Sequence, residues 1–354
     1  MAKFEGIIQL LETRVARGDY TMTPFPTEHG LAEELSISRT TARKAIVHLI
    51  DVGLLDRDSS GRPSVTSDHT EQRPLHIGFV TFSLSAAALR WQSLIELLVN
   101  QAGGFMRVIT FVHWDDPTLL EAVESFDGVF LIPPVDELSP RMAERLLQAR
   151  ARIVVLGANF SSSGLHGIEN VAEGSVDALL DHLKELGHRR ITALNTVPVV
   201  LAIEERLAQW QAWLSRHGLQ GELINEATLP REDSRQKAYE IACERLASGD
   251  GMGGSAVLCT TLPVALGVMR AVNESGMIMG RDISVCAVND EGMAQFLNPT
   301  LTSSRLGDPG SAVREAIEWM TGSEWDGPLL KCSEEVEIFV GGSTGAPVAS
   351  LQTV

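Results

Sequence analysis

Apolar residues recur three and four apart near the start of the chain. Phe4, Ile7, Ile8, Leu11 and Val15 share one face of a helix expected over residues 4–17. Ala42, Ala45, Ile46, Leu49 and Ile50 do the same for a later helix. A short helical pattern precedes it across the turn Ser36-Ile37-Ser38, and Gly53 follows its last periodic residue, where a left-handed stop is expected. Leu54 to Val65 then reads as a β-hairpin turning at Asp58-Ser59-Ser60-Gly61. Residues 66–74, T-S-D-H-T-E-Q-R-P, hold no large apolar anchor and read as a linker.

From Leu75 the period changes. Strands are expected at Ile77–Phe82, Val108–Val112, Gly128–Ile132, Ile153–Leu156, Ile191–Leu194, Ala256–Cys259, Ile283–Val288 and Ile338–Val340. Helical patterns lie between many of them: Trp91–Gln101, Arg141–Gln148, Val176–Leu186, Glu204–His217, Arg235–Leu246 and Val264–Val272. Apolar strands alternating with helices predict parallel sheets covered on both faces. About 280 residues are long for one such sheet. The expected fold class is therefore α/β: a small N-terminal helical domain (1–65), a linker (66–74) and two doubly wound lobes around a cleft (75–354). Ligands of such folds collect at the C-terminal strand ends.

Charge sharpens this division. The 354 residues carry a formal net charge of −17, yet residues 1–65 hold eight Lys+Arg against nine Asp+Glu, so −16 belongs to the remainder. Cys243, Cys259, Cys286 and Cys332 form no C-x-x-C, so neither disulfides nor a zinc site are expected, and no cofactor or metal is assigned. Met1 to Glu5 lacks the apolar core of a signal peptide, and no apolar run reaches ~18 residues. A cytoplasmic protein without membrane contact is the expectation.

The N-terminal patterns carry specific chemistry. Arg39, Thr40, Arg43 and Lys44 occupy the face opposite the apolar stripe, with Ser38 placed to cap the helix. Guanidinium forks and a hydroxyl at a helix N-terminus suit phosphates and base edges in the major groove. A solvated face on an ordinary helix would show the same pattern. The wider run separates the two readings. Pro26-Thr27-Glu28, Leu31-Ala32, Ser38-Arg39-Thr40-Thr41-Ala42-Arg43 and the Gly-bearing hairpin with Gly61 and Arg62 resemble the winged helix-turn-helix of the GntR family of bacterial repressors. The resemblance covers roughly residues 4–65. It implies a DNA-contacting set of His29, Ser38, Arg39, Thr40, Arg43, Gly61 and Arg62, with His29 standing where that family often has Arg.

The remainder resembles a second family. Ile77-Gly78-Phe79-Val80, Phe126-Asp127-Gly128-Val129-Phe130-Leu131-Ile132-Pro133 and Leu186-Gly187-His188-Arg189-Arg190-Ile191 match motifs of the LacI-family effector domain, which is similar to periplasmic sugar-binding proteins. So do Ala256–Gly267, Asp282–Cys286, Pro299–Arg305 and Gly342-Ser343-Thr344. The combination is similar to the arabinose-repressor architecture, and residues 66–74 hold no counterpart of the LacI hinge helix. The resemblance implies effector contacts at Arg206, Thr261 and Asn289. Phe82 and Trp91 are candidates to stack on a ring, although either also fits a core. Carboxylates usual in that family are replaced at Ala158, Leu262 and Asn289, and Thr261 stands where it has Asn. An anionic sugar derivative beside Arg206 would tolerate that loss.

These readings predict a ligand-responsive, homodimeric transcriptional regulator, a repressor by resemblance, binding a double-stranded operator and a sugar-like, anionic or neutral, small molecule. The alternative is a regulator whose effector domain has lost its ligand and serves dimerisation or protein contacts. No enzyme motif is present: Gly251-Met252-Gly253-Gly254 is not a phosphate loop, and no G-x-S-x-G occurs.

Overall fold

The computed structural model describes residues 2–66, 74–82, 86–229, 232–249, 251–333 and 335–348. Most of the predicted linker, 67–73, lies outside them. The chain opens with α1 (Ala2–Ala16), α2 (Glu28–Glu34) and α3 (Arg39–Asp51), followed by β1 (Leu55–Arg57) and β2 (Pro63–Val65). Leu11 from α1, Leu31 from α2, and Ala42, Ala45, Ile46 and Leu49 from α3 share one apolar cluster with Phe25 and Leu55. Thr27 and Ser38 cap α2 and α3, accepting from Gly30 N at 3.2 Å and Thr41 N at 3.1 Å. Gly53 takes φ +77° just after α3, and β1 pairs antiparallel with β2.

The chain then builds β3 (His76–Thr81), α4 (Ala86–Gln101), β4 (Phe105–Thr110), α5 (Pro117–Ser125), β5 (Gly128–Ile132), α6 (Pro140–Leu147), β6 (Arg152–Leu156) and β7 (His166–Glu169). It crosses to α7 (Ser175–Glu185), β8 (Ile191–Asn195), α8 (Leu201–His217), β9 (Leu223–Asn225), α9 (Ser234–Ser248), β10 (Ala256–Cys259), α10 (Leu262–Glu274), β11 (Ser284–Ala287) and β12 (Thr302–Ser304). It returns for α11 (Gly310–Met320) and β13 (Leu330–Cys332), and crosses again to β14 (Ile338–Phe339). The first sheet runs β13-β7-β6-β5-β3-β4, all parallel. The second runs β14-β12-β11-β10-β8-β9, with β14 alone antiparallel. Each sheet is sandwiched between apolar clusters on its two faces. This is the two-lobed, doubly wound α/β fold that the strand–helix alternation predicts.

The three crossings are tied together. Gly307 N donates to Asn170 O at 2.8 Å, Val171 bridges Leu306, and Arg305 N donates to Glu337 O at 2.8 Å. The expected strands at 128–132 and 256–259 coincide with β5 and β10, whereas β4 begins at Phe105, three residues before the expected Val108. β7, β9, β12 and β13 escape a periodicity reading because each holds at most two apolar residues. β12 is Thr-Ser-Ser, fully buried and wholly polar.

Candidate functional sites

Two surfaces gather the polar chemistry. The first is the exposed face of α3. Burial of Ala42, Ala45, Ile46 and Leu49 leaves Arg39, Thr40, Arg43 and Lys44 in solvent, and the first turn holds no acidic residue. The positive end of the helix dipole thus faces outward beside two guanidinium groups. Ser38 Oγ is committed to the cap and to Thr41 Oγ1 at 2.8 Å. Arg43 Nε lies 3.9 Å from Glu28 Oε1, and His29 Nε2 lies 3.4 Å from Glu33 Oε1. Both pairs are solvent-exposed and worth little, so a phosphate can displace them.

The β1–β2 tip is a knitted turn. Asp58 Oδ1 accepts from Ser60 N at 2.8 Å, Ser60 Oγ at 2.6 Å and Arg62 N at 2.9 Å. These donors hold the Asp58 carboxyl below its usual range. Gly61 turns at φ +77° and its carbonyl accepts from Arg57 Nη1 at 2.8 Å. Arg62 remains exposed.

The second surface is the cleft edge of the second lobe. Asn195, the last residue of β8, donates through Nδ2 to Val197 O and to Asn225 Oδ1, both at 2.9 Å. Its Oδ1 accepts from Thr260 Oγ1 at 2.7 Å. Arg206, on the second turn of α8, donates through Nη1 to Thr260 O at 2.7 Å. The ends of β8, β9 and β10 are thereby locked into one polar platform. Burial lowers the Arg206 pKa, opposed by the negative charges of Glu169 and Glu205. Burial likewise raises the carboxyls of Glu169 and Glu205, and Arg206 pulls both back. Glu169 Oε1 also accepts from Val171 N at 3.0 Å. A cavity of about 240 Å³ adjoins the crossings, lined among others by Glu169, Asn170, Asp308, Lys331 and Cys332.

The expected effector residues divide accordingly. Thr261 stands at the N-cap of α10, its Oγ1 buried without a hydrogen-bond partner among the described residues. Asn289 is left-handed (φ +66°); its N donates to Ser304 Oγ at 3.0 Å and its Oδ1 accepts from Glu291 N at 2.9 Å. Phe82 is half-buried against the first lobe's core. Trp91 corrects the expectation: it is 6 % exposed, within the cluster of Ile77, Phe79, Ile95 and Phe130, and presents no ring face to a ligand. The argument for an anionic effector is also corrected. Acids are not scarce around Arg206, because Glu169 and Glu205 act on it directly. Asn195, Thr260 and Glu169 carry no motif that assigns them to the site. A polar residue ending an apolar run, as in I-T-A-L-N, is the signal that marks Asn195.

The lobes also meet at the cleft mouth. A Cβ at Gly292, in the loop after β11, would lie 3.0 Å from Arg90 Nη1 on α4. Arg90 lowers the Glu291 pKa, which burial raises more strongly.

The class this fold defines is the two-lobed, periplasmic-binding-protein-like α/β domain, and residues 180–326 match the family model "Periplasmic binding protein-like domain". Among solved structures, a dimeric Lac repressor with an 11-residue C-terminal deletion superposes with TM-score 0.64 at 22 % identity, covering 77 % of this chain and all of that one. A LacI-family transcriptional regulator from Mycobacterium smegmatis gives TM-score 0.61 at 18 % identity, with 77 % and 100 % coverage. Among curated relatives, the HTH-type transcriptional regulator MalR of Streptomyces coelicolor is 31 % identical over 174 residues, 47 % of this chain and 48 % of MalR. The Lactose operon repressor of Escherichia coli is 31 % identical over 124 residues, 35 % and 33 % respectively. The chain thus spans about half or less of the length of these curated relatives.

Proposed function

We propose that this chain is a ligand-responsive DNA-binding transcriptional regulator, acting as a homodimeric repressor in the cytoplasm. Residues 1–65 form a GntR-type winged helix-turn-helix, 66–74 a linker, and 75–354 an effector-binding and dimerisation domain. The carrying observation is the capped helix α3, which displays Arg39, Thr40, Arg43 and Lys44. The β1–β2 hairpin, with Gly61 and Arg62 at its turn, supplies the wing. The name of one relative, the Lactose operon repressor, supports repression with a sugar or sugar derivative in the cleft. Two copies would read two half-sites about one helical turn, or a multiple, apart.

Arg39 and Arg43 are assigned to base edges or phosphates, Thr40, His29, Gly61 and Arg62 to flanking contacts, and Ser38 to the cap. Arg206, Thr261 and Asn289 are assigned to the effector, with Glu169 and Asn195 added and Phe82 at the rim. Selection of operator fragments from random duplex DNA, then footprinting, tests the reading. Arg39→Ala and Arg43→Ala should each weaken specific binding by about 1–3 kcal/mol for every base edge the arginine reads. Wild-type footprints from both variants would show that α3 is not the reading helix.

Two features favour the alternative, a sensor that has lost its ligand. Ala158 stands where the LacI resemblance expects a carboxylate, and the Asn289 side chain is bonded within its own loop. A thermal-shift series with neutral sugars, sugar acids and phosphosugars separates the two, since a ligand bound by the native state alone raises the melting temperature. A flat response across all three series would favour the alternative.

A further inference from the structure

The loop between α1 and α2 touches both the N-terminal module and the first lobe. Tyr20 and Phe25 pack with their rings tilted at 55° within the module, centroids 4.6 Å apart, and Phe25 is part of its core. Met22, between them in sequence, packs instead against the first lobe's cluster of Ile109, Phe111 and Val80. On the lobe side, His76 at the start of β3 is 6 % exposed and donates through Nε2 to Ala16 O at 2.8 Å. The carbonyl can only accept, which fixes the proton on Nε2. The His76 backbone is itself fixed, its N donating to Asp127 Oδ2 at 2.9 Å and its carbonyl accepting from Asp127 N at 3.0 Å.

Arg107 on β4 donates through Nη1 to Asp19 O at 3.2 Å, with Nη2 3.8 Å from Asp19 Oδ1. Gly18 makes the approach possible. It is left-handed (φ +72°), and a Cβ there would sit 2.7 Å from Thr21 Oγ1 and 3.1 Å from the His76 ring. Within seven residues the chain is therefore pinned to β3, to β4 and to the lobe's core.

We propose that Ala16–Met22 is a clasp that fixes the N-terminal module on the first lobe, so that the lobe, and not residues 66–74, sets the attitude of α3. A flexible nine-residue tether alone would let the module wander over roughly 15–18 Å. Such a module would be indifferent to lobe rotation about the crossings. Clasped, it moves with the lobe, and a ligand that changes the angle between lobes changes the spacing of two α3 helices in a dimer. The clasp stands on contacts between described residues; its regulatory consequence rests on the function proposed above.

Amide ¹⁵N relaxation of the full chain, without DNA or ligand, tests the clasp. In the wild type, residues 4–65 should share the rotational correlation time of the lobes. In Met22→Ser/Arg107→Ala, and separately in His76→Ala, that time should fall severalfold for residues 4–65 alone. An independently tumbling module in the wild type, or no change in either variant, would overturn the proposal. Because neither DNA nor ligand enters, a chain that bound no operator would sink the preceding reading and leave this result to stand on its own.

Discussion

Arg206 reaches from α8 to the carbonyl oxygen of Thr260, beyond the end of β10, and donates to it at 2.7 Å. That bond holds the guanidinium in place and uses one of its N–H groups. Thr260 is held in turn by Asn195, so the charged group sits on a pre-bonded platform. Preorganisation of this kind lowers the entropy cost of binding.

Replacing Arg206 should therefore cost twice. Arg206→Ala should destabilise the second lobe by about 1.5–3 kcal/mol, the worth of a hydrogen bond from a charged donor. It should also abolish any thermal shift by a sugar that protects the wild type. Arg206→Lys should not restore the shift, because an ammonium cannot hold Thr260 and a ligand with one planar fork. Denaturant titration and thermal-shift assays of the three proteins measure both effects, and full rescue by Lys would show that charge alone matters.

His188 lies in the motif L-G-H-R-R and is 1 % exposed. Its Nε2 faces Gly345 O and Ser284 Oγ, both at 3.0 Å, and its Nδ1 lies 2.7 Å from Ser255 Oγ. The ring pins the segment after β14 to the second lobe as a neutral donor–acceptor. Burial lowers its pKa below the usual histidine value of 6.5, despite the carbonyl. The unfolded chain therefore takes up a proton first as pH falls through about 6.5, and native stability declines from there downward. His166 and His182 are lowered in the same direction. His188→Gln should lose about 1–3 kcal/mol at pH 7 from the unmet hydrogen bonds. Its stability should also depend less on pH between about 5 and 6.5 than the wild type's. Urea melts across that range check both, and an unchanged pH slope would mean that His188 does not titrate there.

How much of this is legible in the sequence follows from physical range. Ala42, Ala45, Ile46 and Leu49 announce α3 because a helix repeats its buried face every three or four residues. Val129, Phe130 and Leu131 announce β5 because a strand covered on both faces is apolar throughout. Thr-Ser-Ser of β12 gives no such sign, since its burial is decided by β11 beside it and by Ser343, whose Oγ accepts from Thr302 N at 2.9 Å. Glu169 is silent for the same reason. Its neighbour Arg206 stands 37 positions away in sequence, and no local pattern joins them. Trp91 illustrates the converse error: an aromatic near a strand end reads as a platform, whereas helix α4 turns it inward.

Gly267 sits inside α10, where glycine costs about 1 kcal/mol relative to alanine. Yet a Cβ there would lie 2.7 Å from Tyr239 N and 2.8 Å from Ala238 Cβ on α9. The first of these is backbone, which cannot rotate away. The close approach of the two helices should outweigh helix propensity, so Gly267→Ala should destabilise the protein by about 1–3 kcal/mol. Chemical denaturation decides the sign. A stabilised variant would mean that α9 shifts outward at little cost.

Glu169 offers the sharpest test of the cleft's electrostatics. Burial raises its pKa above the ordinary value of 4.5, and the attraction of Arg206 does not bring it back. A carboxyl raised on folding favours its proton in the native state, so native stability falls as pH rises above 4.5. Above pH 4.5 the cost of ionising Glu169 in the native state opposes folding. Glu169→Gln keeps an oxygen for Val171 N, now 3.0 Å from the carboxylate, while removing the charge. The variant should therefore melt higher than the wild type at pH 7, and the difference should shrink toward zero as pH is lowered past 4.5. Paired melts at the two pH values read this directly. A lower melting temperature at pH 7 would mean that the pairing with Arg206 outweighs the desolvation of the carboxylate.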